Sequence, residues 1–223
     1  MELGDFLRRK NEIGKALKLY GNMLNINKIA PDELIALLGL FSSDDFWNHS
    51  VEPADLVRRL LAEHLPEFSN EPKIMELYFR LAELYFQAGD CARAVQTLNN
   101  LLSARKIYRA EEVLFLHGRI LDKQEKWPES AKTWRRLLMT AGKSNRLEII
   151  YHLAFAEMKS GCFRRAAATA FLAVPADGKR KKDERDNLLI IACLDILLKS
   201  AKEAELMEDY KDALRIKEQM ERE

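Results

Sequence analysis

The sequence predicts an all-α solenoid, one array of antiparallel helix pairs, and three observations predict it. Apolar stretches of period 3.6, broken by short polar turns, recur at a spacing of 36 residues, on which Ala94, Ser130 and Ala166 fall. Nine Gly and six Pro in 223 residues are few beside the roughly 12% of an average chain. That shortage of turn formers argues against a many-stranded sandwich or barrel and for long helices with short connections. A composition 48% hydrophobic and 32% charged can bury a core and is unlike that of a disordered chain.

Taken in order, Leu3-Gly4 and Leu7, then Asn11-Glu12-Ile13, then Ala16, Tyr20 and Met23 make a first unit over 1–29. Its first helix begins only at Met1, which points to a chain cut from a longer protein. Residues 30–70 read as a degenerate unit. Pro31-Asp32-Glu33-Leu34 opens a helix with proline and acids in its first turn, and Pro53-Ala54-Asp55 opens its partner. The stretch 42–52 between them, with Phe46-Trp47, is a longer and irregular link. Three clear units follow over 71–106, 107–142 and 143–178. Leu81-Ala82-Glu83-Leu84-Tyr85 is followed by Gly89-Asp90-Cys91, Ala94, Leu98 and Leu101. The same order returns around Gly118, Glu125-Lys126-Trp127, Ser130 and Trp134, and again around Ala154, Gly161-Cys162-Phe163, Ala166 and Ala170. Small residues at Ala82, Gly118 and Ala154, set against Ala94, Ser130 and Ala166, let paired helices approach closely. A capping unit over 185–223 repeats the break at Asp209-Tyr210-Lys211-Asp212-Ala213, with Ala201 and Ala204 on the preceding helix. Its later position places an insertion of about 11 residues at Ala176 to Asp186.

These residues resemble the tetratricopeptide repeat, whose signature is W-x2-L-G-x2-Y, A-x3-F and a closing P at a period of 34. The best match is Tyr78-x2-Leu81-Ala82-x2-Tyr85, Gly89-Asp90 and Ala94-x3-Leu98. The next unit places Leu114, Gly118, Leu121, Trp127 and Trp134 on the equivalent positions. The period here is two residues longer, and the closing proline is missing or shifted, with Pro175 nearest. The resemblance implies a right-handed superhelical α-solenoid whose first helices line a concave wall.

A net charge of +1, from 36 basic and 35 acidic residues, lacks the imbalance of a nucleic-acid binder. Cys91, Cys162 and Cys193 have neither zinc nor redox spacing and read as small buried hydrophobes. Free cysteines lean towards the cytoplasm, while a longer exported precursor would place the chain in the periplasm. The apolar run Leu188 to Leu194 is stopped by Asp195, short of a membrane helix. Gly142-Lys143-Ser144 has Leu137 where a phosphate loop needs glycine. His49, His64, His117 and His152 show no ligand spacing, and Lys179-Arg180-Lys181-Lys182 is neutralised by Asp183, Glu184 and Asp186. No cofactor or metal is expected.

The informative residues are those on the first helices that point off the packing face. By helical spacing these are Glu76, Phe79, Glu83, Phe86 and Gln87, then Glu112, Phe115, Arg119, Asp122 and Lys123, then Glu148, Tyr151, Phe155, Met158 and Lys159. Aromatic rings interleaved with charge on a wet wall fit a groove for a peptide or partner helix. The alternative is that the rings fill the narrow inside of a tight superhelix. Some members of the resembled family clamp a chaperone's C-terminal carboxylate there with Lys, Asn and Arg. The matching sites here carry Phe79, Glu83, Phe115 and Arg119, which argues against that subtype. The expectation is a non-enzymatic interaction scaffold with a protein or peptide partner. The alternative is a structural module that forms homo-oligomers through its terminal repeats.

Overall fold

The computed structural model describes residues 72–103, 109–140, 142, 145–175 and 183–222, together with the helical residue Lys15. The units expected at 1–29 and 30–70, and the segment 176–182 of the insertion, lie outside the described residues. Among the described residues every element is an α-helix. The chain divides into two compact units, residues 1–109 and 110–223.

The first unit contains α1 (Pro72–Gln87) packed on α2 (Cys91–Leu102). Proline at the first helical position has no N–H to leave unpaired, so Pro72 starts α1 without loss. Leu77, Leu81, Ala82, Leu84 and Tyr85 bury one face of α1 against Ala94, Leu98 and Leu101 of α2. The Asp90 carboxylate caps α2 by accepting from the Arg93 N–H at 3.0 Å.

The second unit contains α3 (Ala110–Lys123), α4 (Trp127–Thr140), α5 (Arg146–Lys159), α6 (Phe163–Phe171), α7 (Glu184–Glu203) and α8 (Met207–Arg222). Each helix packs on the next, and α5 also packs on α7. That contact is possible because α6 is short and presents Ala166, Ala167 and Ala170, all buried, with Ala173 just beyond its end. Ile150, Ala154 and Met158 of α5 join Ile190, Cys193, Leu194 and Leu197 of α7 in one core.

All four described hairpins turn the same way. The N–H after the turn reaches back to a carbonyl five residues earlier, as Asp90 to Tyr85, Lys126 to Leu121, Cys162 to Glu157 and Leu206 to Ala201, at 2.8–3.0 Å. This closure requires one left-handed residue, supplied by Gly89 (φ 83), Glu125 (φ 57), Gly161 (φ 73) and Glu205 (φ 59). The 36-residue anchors behave as the sequence predicts: Ala94, Ser130 and Ala166 have no exposed surface. The last hairpin differs from expectation. Its break lies at Ala204 to Leu206 rather than Asp209, so Tyr210 takes the anchor position and Ala213 is buried one turn later. The insertion also ends earlier, because the Asp183 carboxylate caps α7 by accepting from the Arg185 N–H at 2.8 Å. Residues 184–186 are therefore the first turn of a helix.

Candidate partner-binding face

In the first unit the predicted wall residues form a charge cluster around one ring. Glu76 accepts from Nε of Arg80 at 3.0 Å and from Nη1 of Arg109 at 3.0 and 2.8 Å, one bond to each carboxylate oxygen. Arg80 also reaches Glu83 at 3.3 Å. Burial lifts the Glu83 carboxyl above the usual glutamate range, against the pull of Arg80 and Arg109. Phe79 is only 4% exposed, and the Arg109 guanidinium lies 5.0 Å from its ring centroid. Phe86 is half-buried and Gln87 exposed.

In the second unit the wall divides into a network and a shelf. The network converges on Asp122 of α3. Its carboxylate accepts from the Ser130 hydroxyl, from Trp134 Nε1 at 3.1 Å, and meets His152 Nδ1 at 2.9 Å. His152 of α5 stacks on Trp134 of α4 with centroids 4.6 Å apart, and Phe115 of α3 meets the same indole edge-on at 5.2 Å. Gly118 makes this possible, since a Cβ there would lie 2.5 Å from Trp134 Cε2. Ser130 is fully buried, and its hydroxyl ties α4 to α3 through the Asp122 carboxylate.

The shelf lies on α5. Tyr151 and Phe155, both half-buried, stack with centroids 6.1 Å apart. Trp127, at the start of α4, meets Phe155 edge-on at 5.5 Å. Lys159 Nζ lies 5.4 Å from the Phe155 centroid and 5.9 Å from that of Trp127. Burial, with Cys193 and Asp122 adding to it, raises the Tyr151 phenol above its ordinary value. Glu112, Arg119 and Lys123 are exposed. Glu148 bonds Arg185 at 2.6 Å.

The structure therefore brings Tyr151, Phe155 and Lys159 together and links them through His152 to Phe115. Met158 points instead into the core, at 9% exposure. Trp127 and His152 border this face and the fully buried Trp134 lies beneath it, although helical spacing along the first helices did not include them. Trp127 lies on a second helix at the position of Cys91 and Phe163, where its size was the available signal. Behind the face, the fully enclosed Glu157 bonds Arg135 at 2.6 Å and accepts from Thr169 at 2.7 Å, tying α5 to both neighbours. Burial lowers the basicity of His117. Among the described residues no group of His, Cys, Asp and Glu could hold a metal, and no helix is long and apolar enough to cross a membrane.

Successive helical hairpins closed by one repeated turn define an α-helical repeat protein. The tetratricopeptide-repeat family profile matches residues 76–105, which span α1 and α2. A crystal structure of a Podosopora anserina kinesin light chain-type protein with nearly identical TPR-like repeats matches at a TM-score of 0.56 and 16% identity. The match covers 83% of this chain and 92% of that one. A singly substituted form of the same protein matches at 0.54 and 18%, over 85% and 95%. At these identities the likeness is one of fold. No curated protein matches the chain. The chain thus carries one tetratricopeptide-repeat match, over residues 76–105, and has a TPR-like helical-hairpin fold.

Proposed function

We propose that the chain is a non-enzymatic scaffold that holds a peptide or partner helix on the aromatic face of its inner helices. The observation that carries this reading is the α5 shelf, where the stacked rings of Tyr151 and Phe155 keep part of their surface in solvent beside Trp127 and Lys159. Half-exposed aromatics with an adjacent charge are the usual energetic centre of a protein interface. The fold supports the reading, since arrays of helical hairpins build extended binding surfaces.

The test is a double substitution, Tyr151→Ala with Phe155→Ala, compared with wild type by affinity capture from the source cell. Loss of both anchors should cost about 2 kcal/mol or more of binding each, while circular dichroism stays helical. Capture that is unchanged in the variant overturns the assignment. Phe79 is unsuited to this test, because a ring 4% exposed is lost from the fold as well as from the face. A structural role through terminal association is the second reading, favoured by Met207 (56% exposed) and Leu214 (38%) on α8. Light scattering over a concentration series separates the two, with a constant monomer mass removing the second.

A further inference from the structure

We propose that the first hairpin carries a guanidinium site which the chain's own Arg109 fills, so that a partner's arginine docks there by displacing Arg109. This rests on the inner face being a protein-binding surface, and it names the chemistry of one subsite on it.

The site is built from α1. Phe79 supplies a ring face, and Glu76 and Glu83 supply two carboxylates. Arg80, bonded to both acids, neutralises one of them. Among the described residues this leaves one negative charge beside an aromatic face, a combination that selects a planar cation. Arg109 meets it fully, with Nη1 on both oxygens of Glu76 and its guanidinium over the ring. Its backbone stands at φ 46. That left-handed conformation costs a non-glycine residue about 1–2 kcal/mol. A partner's arginine would make the same contacts without the backbone cost.

The second unit shows what a plain inter-repeat ion pair looks like. Glu148 stands at the position of Glu76 and bonds Arg185, an arginine in the first turn of a later helix. The Arg185 side chain is 71% exposed, against 35% for Arg109. Among the described residues it stacks on no ring, and its backbone is that of a regular helix. A staple between hairpins thus needs neither the aromatic floor nor the strained backbone that Arg109 has.

The test uses the full chain and a fluorescent peptide, acetyl-Gly-Gly-Arg-Gly-Gly-amide, with its citrulline counterpart as the uncharged control, read by anisotropy. Arg109→Gly removes the internal guanidinium, and glycine accepts φ 46 without strain. An occupied site reports an affinity reduced by the fraction of time it is vacant. Arg109→Gly should therefore bind the arginine peptide roughly tenfold tighter or more than wild type. The citrulline peptide should not respond, and adding Glu76→Gln should abolish the gain. No gain, an equal gain for citrulline, or a gain that survives Glu76→Gln overturns the proposal. Arg109→Gln is the second variant, and if neither variant folds, Arg109 is a structural clamp and the proposal fails. The outcome is independent of the α5 shelf, whose own test uses Tyr151 and Phe155.

Discussion

Gly118→Ala is expected to destabilise the second unit, although alanine normally improves a helix over glycine. At an open helical site the exchange gains about 0.5–1 kcal/mol. Here the new Cβ would lie 2.5, 2.7 and 2.9 Å from Cε2, Cζ2 and Cδ2 of Trp134. Carbon atoms rest at about 3.5–4.0 Å, so the indole must retreat by about an ångström. It has nowhere to go. Trp134 is fully buried, His152 lies flat against it at 4.6 Å, Phe115 meets it at 5.2 Å, and Asp122 holds Nε1 at 3.1 Å. Overpacking of this kind costs about 1–3 kcal/mol, and loosening a hydrogen bond to a carboxylate adds about 1.5 kcal/mol or more. Against the helical gain, the net loss should be about 2 kcal/mol, read as a lower urea midpoint by circular dichroism. Replacing Trp134 by Leu removes the obstacle, so Gly118→Ala should become neutral or stabilising in that background. A single variant as stable as wild type, or an equal loss with Trp134→Leu, refutes the wedge.

Two further outcomes follow from the turn and from the first hairpin. Glu125→Gly and Glu205→Gly should each raise stability by up to about 1 kcal/mol, since relief of the left-handed backbone exceeds the entropy glycine adds to the unfolded chain; a lowered melting temperature in both would contradict the shared turn. Glu83 binds its proton more tightly in the fold than in the unfolded chain. Its contribution is thus most favourable below the unfolded carboxyl pKa and is lost as pH rises through the folded value. The stability of Glu83→Gln relative to wild type should accordingly improve between about pH 4 and pH 7, and an opposite trend in urea midpoints would refute the assignment.

Much of the fold was legible because its regularities are local. The small residues at Ala94, Ser130 and Ala166 repeat at a fixed interval, and each is fully buried. Gly89 and Gly161 announce the turns. Glu205 does not, since glutamate has no preference for a left-handed backbone, and residue spacing alone therefore puts the last break at Asp209 instead of Ala204 to Leu206. The face was legible as a direction and not as a set of contacts. Helical spacing put Phe79, Tyr151 and Phe155 on one side of their helices, but it carries no information on which residue of another segment comes to rest there. Arg109 over Phe79, Trp127 against Phe155 and His152 against Trp134 are such meetings. Met158 left the wall because α7 offered it an apolar site.

The alanines of α6 have a consequence for how the second unit comes apart. Modules that meet their neighbours along a thin seam can unzip from an end, one at a time. Ala166, Ala167 and Ala170 let α5 reach past α6 to α7, so these two neighbouring hairpins share a block of core wider than the α6–α7 seam. Neither can open without exposing the other's buried face. These two hairpins are therefore expected to open as one cooperative body.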